Sequence, residues 1–406
     1  MRSYFSQRIG FFAATALSVM LGCGSEQAQL EKRVQALLTA RDYETALKVT
    51  SEAVEKTPDR PYTRALKTAV LAEWGKTSEA IKEYQRFFAL TNAHSPDLLR
   101  KIGRGALKDS DLWIRIGAVV ALGELGETDD FPTLREALKD SEASVRAFTA
   151  RALGRRGDKG ALSALRGALS EGNKDVRAAT ALALGRLGDP QVLPDLLAAV
   201  KDSEAEVRLN AAAGLGLLGD RRVVPSLDAA RGDPDARVRV LAVAALARLG
   251  DNGASKLLME GLADPTPGVQ RAAPLALWVS GTRGVVPALQ VLLSDRDGEV
   301  RRSASVSLAY LRDKTALPDL LAALKDSDGS VRYWTALALG QFGDARAVPY
   351  LRAAISDSGG AMRASALIAL AALGDKEGLP VIRASLQDPV VSVQVAAVFA
   401  LWKLTK

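Results

Sequence analysis

The chain has 406 residues, with 54 Lys and Arg against 47 Asp and Glu and a formal charge of +7, the two signs interleaved along its length. Such a mixed surface lacks the basic footprint of a nucleic-acid binder. A single cysteine, Cys23, and a single histidine, His94, exclude a disulfide framework, a Cys/His zinc site and a histidine-rich iron centre.

At the N-terminus, Arg2 and Arg8 precede an apolar run from Ile9 to Met20, followed by Leu21, Gly22, Cys23 and Gly24. The run is shorter than the roughly 20 residues a helix needs to cross a bilayer, so it reads as a secretory signal. A cysteine after a small residue at this point resembles the lipobox of bacterial lipoproteins, although Met20 and Leu21 stand where that family usually has Leu and a small residue. The resemblance implies a signal peptide at 1–22 and lipidation of Cys23, a stable anchor when more than one acyl chain is attached. With Gly24 rather than Asp after the cysteine, it also implies export to the outer membrane, facing the periplasm.

From Gln29 to Asn92 a period of 34 residues pairs Leu37 with Leu71, Ala46-Leu47 with Ala80-Ile81, and Ala53 with Phe87. The stretch from Arg41 to Asp59 resembles the second half of a tetratricopeptide repeat, with Ala46 and Ala53 at the helix crossing and Pro58 closing the unit. Residues 23–94 are therefore expected to be a lipid-anchored N-terminus with two helical hairpins, stacked on the C-terminal repeats as one continuous solenoid. His94, just before Ser95-Pro96, reads as a linker residue.

Residues 95–406 hold ten copies of a 31-residue unit without insertion. Numbering each from its arginine (Arg115, Arg146, Arg177, Arg208, Arg239, Gln270, Arg301, Arg332, Arg363, Gln394), minus one is apolar, plus seven is always Leu, and plus six is always Ala, Gly or Ser. That spacing buries one helix face and lets neighbouring axes approach closely. Asp at minus six, in nine copies, is expected to cap this helix, and Gly at plus eleven, in eight, to end it. Proline at minus fourteen starts a second, antiparallel helix.

Proline, then Asp eight residues on, then Arg six further resembles the HEAT repeat, in particular its short phycobilin-lyase-like form. The resemblance implies an all-α, right-handed α-solenoid superhelix. It also implies an Asp–Arg ladder along the array, carried here to Asp140 with Arg146 and to the equivalent positions Arg177, Asp202 with Arg208, Arg239, and Asp326 with Arg332, with Gln270 and Gln394 as breaks. Ten repeats at roughly 9–10 Å each predict an arc about 100 Å long with an extended inner surface.

The inner surface is expected at plus one, two, five and nine. Arg151, Arg155, Arg186 and Arg248 supply charge there in the early repeats, and Arg271, Arg302, Tyr310, Tyr333 and Trp334 cluster in repeats six to eight, a composition enriched at binding hot spots. Repeat six is the least regular, with Gln270, Trp278, Ser280 and a mid-helix Pro274 expected to kink it, a departure that a bend in the superhelix, a binding position or decay of one copy would each explain. No phosphate loop, metal cluster or nucleophile–base pair is evident, so no cofactor is expected. The sequence reads as a non-enzymatic, membrane-anchored scaffold binding a protein or peptide, with an acidic envelope polymer as the alternative ligand and a lyase-like enzyme behind both.

Overall fold

The computed structural model describes residues 25–261, 267–281 and 284–406, and these hold helices and turns with no strand. Signal segment 1–22 and Cys23 lie outside the described residues. Two compact units divide the chain, Met1–Asp111 with Leu401–Lys406, and Leu112–Ala400.

In the first unit, helices Ser25–Thr39, Tyr43–Lys56, Pro61–Glu73 and Thr77–Thr91 form two hairpins. Their 34-residue offset is visible in the turns, where Arg41 (φ 58°) and Gly75 (φ 77°) hold the same left-handed conformation. Asp42 then caps the next helix by accepting from the Thr45 N–H at 3.1 Å. Ala46, Ala80, Ile81 and Tyr84 are buried where the helices cross. Glu83, buried among them, is offset by Arg64 at 2.6 Å and Arg86 at 3.2 Å, as a desolvated carboxylate requires. His94 is more than a linker. Its Nδ1 lies 3.1 Å from the Tyr84 hydroxyl and its ring packs on Phe88, centroids 4.5 Å apart. Burial holds that Tyr84 hydroxyl protonated well above the ordinary tyrosine range.

The second unit is built from the 31-residue repeats. Short outer helices such as Leu193–Ala199 and Val224–Ala230, with proline in their first turn, alternate with longer inner helices. Those inner helices run Leu112–Leu125, Ala143–Arg156, Lys174–Leu187, Ala205–Leu218, Ala236–Arg248, Pro267–Ser280, Gly298–Leu311, Gly329–Phe342, Gly360–Ala372 and, in the last repeat, the part of Val391–Thr405 that ends at Ala400. The Val and Leu that recur at minus one and plus seven, such as Val145, Leu153, Val207 and Leu215, are fully buried.

Two expectations about local geometry need correction. The aspartate at minus six is not the helix cap. Asp202 accepts from the Glu204 N–H at 2.9 Å in a turn ahead of the helix, and the cap falls at minus four, where Asp235, Asp297 and Asp328 accept from first-turn amides. The ladder likewise runs forward. Arg146 donates to the backbone carbonyls of its own Asp140 and Ser141 at 2.6 and 2.8 Å, while its carboxylate partner is Glu171 of the next repeat. Asp140 is paired by Arg115 at 2.8 Å, and Arg177–Asp202, Arg208–Asp233, Arg301–Asp326 and Arg332–Asp357 repeat the pattern at 2.7–3.0 Å. Arg239 keeps the carbonyl contacts, to Asp233 and Pro234 at 2.9 and 3.0 Å. The carboxylate next in register to it, Asp264, is outside the described residues.

The helix of repeat six runs from Pro267 to Ser280 with Pro274 inside it, and the Pro274 carbonyl accepts from the Ser307 hydroxyl at 2.9 Å. Close approach between inner helices rests on small residues at plus eight meeting plus six of the next repeat. A Cβ at Gly154 would sit 2.5 Å from the Ala183 Cα, and one at Gly185 would collide with the Gly214 backbone. Most glycines at plus eleven end the helix with positive φ, and Arg312 (φ 52°) takes that conformation in repeat seven.

The second unit is not an open arc. Its first inner helix, Leu112–Leu125, packs against Gly360–Ala372 of repeat nine. The site of a Cβ on Gly117 lies 3.5 Å from the Ser392 side chain. Side chains of repeats one and eight also join, as Gln341 donates to Glu124. The inner helices close on themselves, and their inward residues share one narrow lumen.

Candidate functional site

Because the repeat has one length throughout, each inward position forms a layer of the lumen. The plus-nine layer holds Glu124, Arg155, Arg186, Tyr310 and Gln341, and these make a floor. Glu124, with its side chain 2% exposed, is ion-paired with Arg155 and accepts from Gln341. Next to them the Arg186 guanidinium stacks on Trp278 and Tyr310, 4.9 and 5.1 Å from the ring centroids. Those two rings lie against each other at 5.3 Å.

Above the floor the plus-five layer is apolar, with Val120, Leu182, Val306 and Leu337, except for Arg151. At the mouth, plus one and plus two supply Phe148, Asn210, Arg302, Ser303 and Trp334. Together they enclose a cavity of about 260 Å³. Tyr333 stands edge-on to Trp334, centroids 5.1 Å apart.

The charges in this cavity do not balance among the described residues. Arg155 is matched by Glu124, and Arg302 by Glu299 within its own helix. Arg151 and Arg186 have aromatic partners, Phe148 at 5.6 Å for the former, and no carboxylate partner among the described residues. Burial, then repulsion from Arg302 and Arg186, pulls the Arg151 pKa below its ordinary value against the attraction of Asp175 and Glu206, although the residue as a whole is exposed. Arg186 is lowered for the same first reason, burial, with Arg155 adding repulsion. Burial opposes the charged form of Arg155 too, but Glu124, Tyr310 and Tyr333 together outweigh it and the net direction is upward. The Tyr333 hydroxyl is raised by burial and then by Glu124, so it stays protonated. This is an electropositive, partly apolar cup, in which an entering anion would find guanidinium donors.

Of the residues singled out from the sequence, Arg151, Arg155, Arg186, Arg302, Tyr310 and Trp334 line this one cavity, with Tyr333 beside it. Two do not. Arg271 is exposed and paired to Asp297 at 2.6 Å. Arg248, also exposed, donates to the Val279 carbonyl at 3.3 Å beside a separate polar depression with Arg221 and Gly281. Sequence reasoning misses Glu124, Phe148, Asn210, Trp278 and Gln341, although all but Trp278 sit at inward positions of the repeat and Trp278 is the one bulky side chain at plus eight among repeats one to nine. A larger groove, about 690 Å³, lies beside the outer helices Leu317–Ala323 and Val348–Ala354. The charged residues of the ladder that line it, Asp326, Arg332 and Asp357, are already paired. No group of His, Cys, Asp and Glu suited to a metal occurs among the described residues.

The fold and this lumen define an all-α repeat solenoid. The family model for HEAT repeats matches residues 59–147, 131–206, 193–278, 256–337 and 285–371, and the chain belongs to the HEAT-repeat family. Residues 362–388 match the model for the PBS lyase HEAT-like repeat. No curated protein matches the sequence. Among solved structures, human deoxyhypusine hydroxylase is similar at 23% identity and a TM-score of 0.37, over 63% of this chain and 99% of the other. The complex of CpcE and CpcF of phycocyanin lyase from a Nostoc species is similar at 22% identity and a TM-score of 0.34, over 66% and 92%. The YibA protein of E. coli gives 20% and 0.32, over 71% and 96%. The sequence expectation that the chain is not an enzyme is corrected by one of these findings: residues 362–388 match the lyase-type HEAT-like repeat. The lone histidine excludes one kind of iron site and does not exclude enzymatic chemistry.

Proposed function

We propose that this HEAT-repeat protein holds an acidic protein or peptide by drawing a carboxylate into the lumen of its second unit. One observation carries the reading: Arg151 and Arg186 face a partly apolar cavity without a carboxylate partner among the described residues. Arg151 is exposed at the cavity and Arg186 half-buried beneath it, so an incoming carboxylate meets two guanidinium forks that no ion pair among the described residues already occupies. In the same proposal the chain is exported and held on the outer membrane through lipidated Cys23, the two N-terminal hairpins being tetratricopeptide-like spacers. Affinity purification from envelope extract tests the first part. Wild-type protein should retain acidic partners that Arg151→Gln and Trp334→Ala lose, and an unchanged partner set would remove the lumen from the argument. Radiolabelled palmitate tests the second, since Cys23→Ser should abolish both labelling and membrane retention.

The lyase-type repeat at residues 362–388 favours a second reading, in which the same cup holds a small anionic substrate and Glu124, Tyr310 and Tyr333 are the groups able to handle a proton. Mass-spectrometric detection of a converted compound after incubation with a library of small organic acids would support it. An acidic envelope polymer is the weaker ligand, because a closed floor admits an end and not a continuous strand. Binding that falls steeply with salt and needs many consecutive charges would favour the polymer.

A further inference from the structure

We propose that the cup reads the end of a polypeptide: a free C-terminal carboxylate whose last side chain is apolar. This deepens the carboxylate-binding proposal and rests on it. Three observations point to an end. First, side chains cross the floor. Glu124 is tied to Arg155 and to Gln341, and Arg186 is stacked on Trp278 and Tyr310, so the plus-nine layer is spanned by side chains from repeats one, two, three, six, seven and eight. A chain that enters the mouth cannot leave through the floor, and only a terminus reaches the inside.

Second, the space suits one residue. A cavity of about 260 Å³ falls below the roughly 300–1,000 Å³ of pockets for drug-sized ligands, and a helix about 10–12 Å across with its side chains does not fit. Third, the chemistry is layered to match a terminal residue. Arg151 and Arg186 present guanidinium forks, the geometry best suited to a carboxylate. Val120, Leu182, Val306 and Leu337 in the layer between mouth and floor offer an apolar wall for the last side chain. At the mouth, Trp334, Phe148 and Asn210 meet the preceding peptide units. An internal Asp or Glu would bring two flanking chain segments through the same mouth, against Arg302 and Trp334.

Fluorescence anisotropy with the purified full-length protein and N-terminally fluorescein-labelled hexapeptides tests this. The peptides end in Leu or Phe and carry either a free carboxylate or an amide, and a third set is amidated but contains internal Asp and Glu. The free-end set should bind about ten- to a hundred-fold more tightly than its amide, the range for hydrogen bonds to a charged group. Arg151→Gln and Arg186→Gln should each erase that preference, whereas Arg271→Gln, outside the cavity, should keep it. Circular dichroism of each variant separates lost binding from lost folding. Equal binding of the amidated acidic set overturns the end-reading and leaves the acidic-partner reading standing. If no peptide binds, both fall. Binding of benzoate or phenyl phosphate in the absence of any peptide binding also overturns the inference, and assigns the cup to small organic anions.

Discussion

Replacing Arg208 by Met removes one rung of the ladder from the middle of the array while keeping most of the aliphatic stem. Arg208 donates to Asp233 through Nε and Nη2 at 2.7 and 3.0 Å, and through Nη1 to the Asp202 and Ser203 carbonyls at 2.9 Å each. The two side chains are 16% and 9% exposed. Breaking a buried pair by deleting one partner costs about 3–5 kcal/mol, and partial solvent access screens some of it, so a loss of about 2–4 kcal/mol is expected. The Asp233 carboxyl is held below the ordinary range chiefly by its hydrogen bonds from Arg208, with burial opposing. A depressed carboxylate contributes stability that is fully present above its unfolded value, about 3.9, and is lost as pH falls through the folded one. The gap between wild type and Arg208→Met should therefore be full at pH 5 and above and narrow below about pH 4. Urea unfolding followed by both circular dichroism and tryptophan fluorescence measures it, with coincident transitions as the check on cooperativity. A loss under about 0.5 kcal/mol, or a gap that does not narrow on acidification, would refute the reasoning.

Other substitutions probe different levels of the structure. Gly185→Val should push apart the inner helices of repeats three and four, because its side chain collides with the Gly214 backbone; a loss of about 3 kcal/mol or more is expected from overpacking, read as a lowered urea midpoint. Arg312→Gly should raise stability by about 0.5–1 kcal/mol, since Arg312 sits at φ 52° where glycine is free of strain, and an unchanged midpoint would count against it. Trp278→Ala should strip Arg186 of one stacking face and cost about 1–3 kcal/mol from packing and cation–π loss together. Glu124→Gln removes the carboxylate of the floor and the partner of Arg155. It should loosen the contact between repeats one and eight, seen as faster amide exchange in Leu112–Leu125 and Gly329–Phe342.

Much of the fold follows from a pattern repeated without insertion. Minus one and plus seven are buried because a fixed period returns them to one helix face, and the proline and glycine punctuation marks helix ends for reasons of backbone geometry. What the pattern does not contain is curvature. Small differences in side-chain size at plus six and plus eight set the angle between successive helices, and an angle summed over many repeats decides between an arc and a ring. That is why Arg151, Arg155, Arg186, Arg302, Tyr310 and Trp334 can be picked out one at a time as inward while their convergence on a single cavity cannot be read. The ladder shows the same limit at shorter range. An arginine 6 residues after an aspartate suggests a local pair, and geometry instead sends its fork to the carboxylate 25 residues ahead. In sequence Trp278 marks an irregular repeat that a bend, a binding position or decay would equally explain, and in the structure it is the face on which Arg186 rests.

An open solenoid grows or shrinks by whole repeats, because each one meets only its neighbours. A closed one cannot. Deleting a single 31-residue copy from the middle of the second unit would leave every neighbouring rung able to form, yet it would carry Gln341 and Ser392 away from Glu124 and Gly117. The number of repeats is thus a dimension of the binding site itself. Gain or loss of a copy, the ordinary route by which such arrays diverge, would here abolish the cup before it altered the stacking.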